Sequence, residues 1–508
     1  MALGGMERVV GAWVGRGIRS QSLYSTAQRS GLIYNQALSI ASASGNVGAG
    51  LHLEDEQQAG SGRRAMRMAA AAVLAAGVGA VAGCGNTYRP VVATVGLVGP
   101  AGQAQKFAVA VSSPSPTANG LMTMVDFSGD TVLVTATLGV NPYYLVLSAQ
   151  GTTGYTLNSD KTVTSFDINT SLISSQVLES TLLPGSNPVS LFATTASTFI
   201  SDPGVNAIDQ LTSTPPALKQ ELPVATGYSP LYVVGQSGAT RAYAISQSTS
   251  GGPGQVLAIE NASSLTSSPT ISTTLPVGRG PVYGVMTADD RRAFILNQTD
   301  GTVSVINVQN NALDTPVNTI AVGPRPVWAD LASGLDELVV ANQGNGTTTP
   351  GSVTIIDIPL CSAAALPTNP NCEPTNPIDS VLFGQVVATV PVGINPIMVS
   401  VLSDQTRAYV ANAGNPKLPC AANGVAVAGV STTCTVSVVN LQSNTVTATI
   451  PINGHPVYLA TSAAAPTGKV YVVCKDSQVM TVIETDTDSL DTTVPLQGYG
   501  VSVRMTQP

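Results

Sequence analysis

The chain from residue 106 onwards repeats one pattern about every 45 residues, and this repeat constrains the fold more than any other feature. The clearest copy lies at residues 393–454 and contains the four short runs GINPIMVSVLS, RAYVANA, TCTVSVVN and TVTATIPING. Each run is rich in Val, Ile, Thr or Tyr and is bounded by Gly, Pro, Asn, Asp or Ser. Such runs are typical of β-strands, and such boundaries are typical of turns. We label the four predicted strands A to D.

A turn of the form Gly-x-x-Pro precedes strand A in most copies. These turns lie at Gly139/Pro142, Gly185/Pro188, Gly227/Pro230, Gly278/Pro281, Gly323/Pro326 and Gly393/Pro396, with a shortened copy at Gly454-His455-Pro456 and a degenerate one at Gly498-Tyr499-Gly500. Strands B, C and D occur eight times. The first unit (106–139) has no strand A, whereas the last turn is followed by a strand A alone (VSVRMTQ, 501–507). The two ends of the chain are therefore predicted to complete one unit together.

Four-stranded units of this length predict a β-propeller. One such sheet cannot bury both of its faces alone, but sheets packed around an axis can. We therefore predict an all-β chain that forms a ring of eight four-stranded blades over residues 106–508, closed by the C-terminal strand joining the first blade. Seven blades would follow if the weak unit near 188–227 is not a blade.

The copy at 393–454, with RAYVANA, VSVVN and TATIPING, resembles the YVTN family of β-propeller repeats, and RRAFILNQTDGTVSVINV (291–308) is the next most similar copy. The family is found in exported bacterial and archaeal proteins. The resemblance covers roughly residues 106–508 and implies the propeller fold. It does not imply an activity, because this fold carries many functions.

The N-terminal part of the chain is predicted to be an export segment. Residues 1–62 show no periodicity and are interpreted as a leader or an over-extended start without stable structure, the alternative being a small N-terminal domain. Arg63, Arg64 and Arg67 precede the apolar run 68–83, so residues 63–83 are predicted to be a signal peptide. Its end, Val81-Ala82-Gly83-Cys84, resembles the lipobox of bacterial lipoproteins. This resemblance implies lipidation of Cys84, with 84–105 as a tether; an ordinary secretory peptide is the alternative.

The charge and the predicted localisation limit the classes of partner that we expect. The net charge is −8, and no basic stripe is present, which argues against nucleic acid. We expect an exported, membrane-anchored lipoprotein on the periplasmic or outer-surface side, attached to the membrane through Cys84. Its predicted partner is an envelope protein or polysaccharide, the propeller is predicted to be monomeric, and no cofactor is assigned.

Two insertions each hold a cysteine pair. Cys361 and Cys372 lie between strands C and D of unit six, and Cys420 and Cys434 lie between strands B and C of unit seven. An oxidising compartment favours a local disulfide in each insertion. A zinc site is the alternative, but the pairs lack a nearby His in the sequence and CxxC spacing. Cys474, within a predicted strand, is interpreted as a buried free thiol.

Polar residues recur at the ends of the C strands and in the turns before the A strands. The strand-C residues are interpreted as fixing the C–D turn rather than as a ring of metal ligands; they are Asp126, Asp167, Asp209, Glu260, Asn307, Asp357, Asn440 and Glu484. The turns before strand A share one end of a propeller with the B–C loops, and this end is the candidate ligand face. Its candidate residues are Asn141, Asn187, Arg279, Arg325, Asn395, His455 and Tyr499. His455 is interpreted as a solvent-exposed turn residue, and Trp328 as a core residue near the axis.

No catalytic motif is present: the chain lacks GxSxG, HExxH, P-loop and EF-hand patterns. Only one His follows the predicted signal peptide, which is too few for the axial ligands of a haem-d1-type propeller. We therefore predict a binding or scaffold module, with a lactonase-like hydrolase active at the mouth of the axial channel as the alternative. Three or more carboxylates or amides around the axis would favour the enzyme, and a channel of Val, Ala, Ser and Thr would favour the scaffold.

Overall fold

The computed structural model describes residues 107–148, 150–168, 177–212, 215–315, 317–359, 382–462 and 468–506. The predictions for the leader, the signal peptide, Cys84 and the tether lie outside these residues, as does the predicted Cys361–Cys372 disulfide. Within the described ranges no helix is long and apolar enough to cross a membrane.

The described strands form eight antiparallel sheets, which we number as blades 1 to 8. In the order A to D, the first four blades contain β33 (Tyr499–Met505), β1 (Phe107–Ser113), β2 (Asn119–Asp126) and β3 (Thr131–Val140); β4 (Pro142–Leu147), β5 (Thr153–Asn158), β6 (Thr162–Asp167) and β7 (Val177–Thr181); β8 (Ser190–Ala193), β9 (Thr198–Asp202), β10 (Ala207–Leu211) and β11 (Leu218–Pro223); β12 (Tyr228–Val234), β13 (Arg241–Ser248), β14 (Pro253–Glu260) and β15 (Thr270–Arg279).

The other four blades contain β16 (Pro281–Met286), β17 (Arg292–Asn297), β18 (Thr302–Asn307), and β19 (Ala312–Leu313) with β20 (Thr319–Ala321); β21 (Pro326–Ala332), β22 (Glu337–Asn342), β23 (Pro350–Asp357) and β24 (Val386–Ile394); β25 (Pro396–Val401), β26 (Arg407–Asn412), β27 (Thr435–Asn440) and β28 (Thr445–Pro451); β29 (Pro456–Thr461), β30 (Lys469–Cys474), β31 (Val479–Glu484) and β32 (Ser489–Pro495). Blade 5 has its outer strand in two pieces, which both pair with β18.

The protein is an eight-bladed β-propeller, as predicted. The unit near 188–227, which a seven-bladed ring would have excluded, forms blade 3 from β8 to β11. The A strand of each blade contacts the A strand of the next, so the eight A strands surround the axis.

The C-terminal strand closes the ring. β33 pairs antiparallel with β1, with Ala108 opposite Met505 and Val111 opposite Ser502. The N–H of Phe107 donates to Thr506 Oγ1 at 2.8 Å, and the N–H of Thr506 donates to Phe107 O at 3.0 Å. The predicted closure is therefore confirmed, and it covers the edge of β1 that would otherwise be unpaired.

The core lies between neighbouring blades. All residues of β17, β22 and β30 are buried, because B strands are covered on both sheet faces. In the outer strand β28, exposed residues alternate with partly or fully buried ones, because only one face of this strand packs against the rest of the protein. One core cluster joins Val353 of blade 6 to Val399 and Val410 of blade 7.

A buried asparagine explains the glycine of the Gly-x-x-Pro turn. The last residue of strand B is Asn in four blades: Asn158, Asn297, Asn342 and Asn412. Asn412 Nδ2 donates to Ser437 Oγ at 2.9 Å and to Thr435 Oγ1 at 3.1 Å on strand C. A Cβ added at Gly393 would lie 2.7 Å from the Cβ of Asn412, so only glycine fits there.

Candidate functional site

An aromatic residue follows the turn proline by two positions in five A strands. These residues are Tyr144, Tyr232, Tyr283, Trp328 and Tyr458. The strand register shifts between the proline and the aromatic residue in each case. Such bulges re-aim the side chain that follows. All five lie near the start of strand A, at the end formed by the D–A turns and B–C loops, which we call the turn face.

The five aromatic side chains meet one another around the axis. The ring centroids of Tyr232 and Tyr283 are 4.8 Å apart, and Tyr283 stacks on Trp328 at 4.0 Å. Trp328 meets Tyr458 edge-on at 5.8 Å across blade 7. The side chain of Tyr232 also acts on the pKa of Tyr144 across blade 3. Aromatic pairs at such distances attract beyond the area that they bury.

Arg504 of β33 closes this ring of contacts. Its Cζ lies 4.4 Å from the ring centroid of Tyr458, and its Nε donates to the carbonyl of Leu145 at 3.3 Å. We call the set Tyr144, Tyr232, Tyr283, Trp328, Tyr458 and Arg504 the channel ring. Its members remain partly exposed because they line the channel.

The channel ring contains one cation, Arg504, and four tyrosines whose phenols stay neutral. Burial raises the pKa of Tyr144, Tyr232, Tyr283 and Tyr458, so all four stay protonated. Burial acts to lower the pKa of Arg504, but the four tyrosines more than offset it and the pKa is raised.

Two polar groups of the channel ring lack a protein partner of the expected kind. Arg504 forms no ion pair with any carboxylate in the described part of the chain. The Oη of Tyr458 is buried and has no hydrogen-bond partner among the described residues. A guanidinium without a carboxylate and a phenol without a partner are groups that an anionic, polar ligand would satisfy.

Asp330 is the carboxylate of strand A nearest to the channel ring, two residues after Trp328. Its Oδ2 accepts from the N–H of Val401 at 2.8 Å, and its Oδ1 accepts from the N–H of Leu331 at 2.9 Å. Burial raises the pKa of Asp330 to about 6 despite these bonds. Through its bond to the N–H of Val401, Asp330 links blade 6 to blade 7. Among the described residues the channel shows neither a carboxylate cluster nor a purely small and aliphatic lining.

The predicted ligand-face residues lie in the D–A turns. They are spread around the periphery of the turn face, which we call the rim. Arg279 pairs with Asp300 at 2.6 Å, Asn141 accepts from Ser113 Oγ at 2.8 Å, and the N–H of Asn187 donates to Asp202. Tyr499 is exposed. Asn141, Arg325 and Asn395 have φ of 45°, 57° and 55°, so asparagine at two of these positions also suits the left-handed turn.

Arg325 and Asn395 are brought together at one point on the rim. A Cβ placed on Gly346 would lie 3.5 Å from Arg325 Nη1 and 3.7 Å from Asn395 Oδ1. An open groove of about 560 Å³ adjoins this point and is lined by Arg325, Asn345, Thr349, Ser352 and Pro391, among others. Arg325 is thus an exposed candidate residue that lines a groove.

The interpretation of His455 as a solvent-exposed residue is wrong. His455 is only 5% exposed because the short turn Gly454-His455-Pro456 folds against the B–C turn of blade 8. Its Nδ1 lies 2.6 Å from Asp476 Oδ2, and its N–H donates to Asp476 Oδ1 at 2.7 Å. Burial opposes the ionised form of Asp476, but the bonds from His455 prevail and the pKa of Asp476 is lowered.

The described cysteines behave as the sequence predicts. Cys420 and Cys434 lie at disulfide distance, with Cα atoms 5.4 Å apart. Cys474 is buried and free, and burial beside Asp476 raises the pKa of its thiol to about 12. Cys474 stands opposite Pro456 at the position that asparagine takes in other blades, so it fills a structural site.

The strand-C residues follow the structural interpretation in part. Asp126, Asn307 and Asn440 accept N–H bonds from their C–D turns. Glu260 instead pairs with Arg241 at 2.6 Å. Asp209 is an exception: it lies inside β10, 1% exposed, and opposite Glu221. Burial, with Asp202 and Glu221 nearby, raises the pKa of Asp209 to about 7.

The chain is similar to solved β-propellers. A dihydro-haem d1 dehydrogenase, NirN, in complex with DHE is 12% identical, with a TM-score of 0.55; the match covers 78% of this chain and 74% of that one. A putative 6-phosphogluconolactonase from Bacteroides fragilis (14% identity, TM-score 0.47) covers 80% and 100%, and AztD from Citrobacter koseri (9%, 0.47) covers 79% and 97%. At these identities the likeness concerns the fold alone. No protein-family model and no curated protein matches the chain.

Sequence reasoning missed the channel ring, although a signal for most of it was present. The prolines before the A strands are followed two residues later by Tyr or Trp in NPYYLV, SPLYVV, GPVYGV, RPVWAD and HPVYLA. Only Trp328 was singled out, and it does lie near the axis. Arg504 had no such signal, because its place in the ring depends on closure of the propeller by β33.

Proposed function

We propose that the protein is an exported, lipid-anchored binding module whose ligand site is the channel ring. The observation that carries the proposal is Arg504, a cation that packs on the ring of Tyr458 at 4.4 Å and has no carboxylate partner among the described residues. The ligand we propose is a small organic molecule with a sugar or aromatic ring and an anionic group, either a carboxylate or a phosphate.

The chemistry of the ring supports this ligand class. A guanidinium is planar and matches two oxygens of a carboxylate or phosphate. Tyr283 and Trp328 stack on each other at 4.0 Å, and the parts of these rings that stay exposed to the channel give an apolar surface against which a sugar or an aromatic ring can pack. A guanidinium that packs among aromatic rings without a carboxylate partner is costly, and an anionic ligand offsets that cost.

A hydrolase with its site at the channel mouth is the second candidate. Asp330 supports it, because a carboxyl with a pKa of about 6 is suited to act as a general base near neutral pH. Each oxygen of Asp330 already accepts a backbone N–H bond, however, and these bonds weaken it as a base. We therefore place binding first and hydrolysis second.

Titration of Trp328 fluorescence tests the proposal. The chain has two Trp residues, so a Trp13→Phe background leaves Trp328 as the only reporter. We expect glucose 6-phosphate or glucuronate to change its emission saturably, and glucose, which lacks the anionic group, to have little effect. Arg504→Gln should weaken binding of the anionic probes at least tenfold, because one charge-assisted hydrogen bond is worth about 1.5–3 kcal/mol.

The matched control is Arg279→Gln, which removes an arginine of the rim that is already paired with Asp300. It should leave the titration unchanged. Equal affinity in the wild type and Arg504→Gln would contradict the site. Turnover of a sugar lactone in a pH-stat assay would favour the hydrolase.

The anchor is tested separately. Cys84→Ala should move the protein from the membrane fraction to the soluble fraction and remove the mass of the acyl chains. An unchanged fraction and mass would refute the lipid anchor while leaving the channel site unaffected.

A further inference from the structure

The insertion in blade 7 brings a disulfide to the buried histidine of blade 8. Ala421 N–H donates to Thr432 O at 2.8 Å and Thr432 N–H donates to Pro419 O at 2.9 Å, so the loop folds back on itself. The N–H of Ile452 donates to Cys434 O at 2.8 Å, which ties this loop to the turn that carries His455. The ligand atoms of Cys420, Cys434 and His455 lie within 4.8 Å of one another.

The imidazole of His455 is oriented by a carboxylate, as is usual for histidines that bind metal. Asp476 contacts both Nδ1 and the backbone N–H of His455, and this fixes the orientation of the imidazole. A carboxylate on one ring nitrogen is the usual outer partner of a histidine that binds metal through the other. The Nε2 of His455 lies 3.3 Å from the carbonyl oxygen of Asn415, and metal binding through Nε2 replaces this long contact.

We propose that Cys420, Cys434 and His455 form a site for a thiophilic divalent cation such as Zn²⁺. The two cysteines would then have two alternative states, one bonded to each other as a disulfide and one bound to the metal. Two sulfurs and one nitrogen are a common zinc ligand set. At a metal–sulfur distance of about 2.3 Å, two sulfurs of a tetrahedral site lie about 3.8 Å apart. The sulfurs therefore need to separate by less than about 2 Å from bonding distance.

Conversion of the disulfide to the metal-binding state requires two electrons, and a dithiol reductant supplies them. Two electrons from the dithiol break the Cys420–Cys434 bond, and the dithiol becomes a disulfide. Both cysteine sulfurs then carry protons, which pass to water when the metal ion binds the two thiolates. Metal binding at this site would thus require the reduced state, and oxidation would release the ion.

Cobalt titration tests the proposal, because Co²⁺ bound to thiolates absorbs by charge transfer and tetrahedral Co²⁺ has intense visible bands. The full chain is used in a Cys84→Ala, Cys361→Ser, Cys372→Ser background, which leaves Cys420, Cys434 and the buried Cys474. The protein is reduced with dithiothreitol and desalted under nitrogen. We expect one equivalent of Co²⁺ to give both sets of bands in the reduced protein, none in the oxidised protein, and Zn²⁺ to displace them.

Three variants assign the ligands. Cys420→Ser should abolish the charge-transfer bands of the two-thiolate site, and His455→Gln should weaken Co²⁺ binding more than tenfold and shift the visible bands. Asp476→Asn, at a side chain that is 42% exposed, should keep the bands with about 10–100-fold weaker binding. Far-ultraviolet circular dichroism verifies that each variant is folded.

Two results would overturn the proposal. One is a reduced protein that gives no thiolate-to-cobalt bands. The other is a folded His455→Gln variant that binds Co²⁺ with the affinity and spectrum of the parent, which would remove His455 from the site.

Discussion

At the residue scale, one of the strand-C carboxylates that the sequence assigns to a C–D turn is instead buried inside its strand. Asp209 is 1% exposed in the middle of β10, and its Oδ1 has no hydrogen-bond partner in the described structure. Its neighbours Asp202 and Glu221 are also acidic, so the ionised form of Asp209 is opposed by both burial and charge. This residue should make the stability of blade 3 depend on pH.

The direction of that dependence follows from the pKa of Asp209, which is raised from 3.8 to about 7. Between these values the folded protein holds a proton that the unfolded chain releases, so the free energy of unfolding decreases as the pH rises through this range. Asp209→Asn removes the penalty. We expect it to stabilise the protein by about 1–3 kcal/mol at pH 8, because each pKa unit corresponds to about 1.4 kcal/mol.

Urea unfolding at two pH values checks this prediction. At pH 4 the carboxyl is largely neutral when folded, so Asp209→Asn should have little effect there. A variant that is equally stabilised, or destabilised, at both pH values would show that Asp209 is not the titrating group.

At the element scale, the Gly-x-x-Pro turn couples each blade to the next. Its glycine belongs to the end of strand D and lies against the asparagine that ends strand B of the following blade, as Gly393 does against Asn412. The asparagine in turn bonds the hydroxyls of strand C, as Asn412 does with Ser437 at 2.9 Å. The turn motif in the sequence therefore reflects a contact between blades as well as local turn geometry.

Gly393→Ala should destabilise the protein, because the new Cβ would lie 2.7 Å from the Cβ of Asn412 and the backbone would have to move. Overpacking of this kind typically costs about 1–3 kcal/mol. The control is Gly238→Ala, where an added Cβ meets nothing within 4 Å. The midpoint of urea unfolding should fall for the first variant and stay near the parent value for the second; equal midpoints would contradict the close contact.

At the scale of the whole molecule, the two ends of the propeller are held together by one strand. β33 contributes strand A of blade 1, contacts strand A of blades 2 and 8, and supplies Arg504 to the channel ring. Ring closure and the candidate site therefore depend on the same segment.

Deletion of residues 499–508 should open the ring and expose the edge of β1. We expect the truncated protein to unfold at lower urea concentration and to self-associate, because an unpaired strand edge recruits another chain. Light scattering after size-exclusion chromatography measures the association. A synthetic peptide of residues 499–508 should restore the monomer by adding the missing strand, whereas a scrambled peptide should not. A truncated protein that stays monomeric and equally stable would contradict closure by β33.

The amino-acid sequence was sufficient to predict the blade number, the strand order and the closure by residues 501–507, because these follow from local strand and turn patterns repeated along the chain. The same local patterns pointed to the Cys420–Cys434 pair, which lies inside one loop. Only the tertiary structure decided where Arg504 and His455 lie. Arg504 meets Tyr458 only when the ring closes, and His455 meets Cys420 and Cys434 only when blades 7 and 8 pack side by side. The partners that set the chemistry of both residues come from segments far apart in the sequence, and periodicity along the chain carries no record of such contacts.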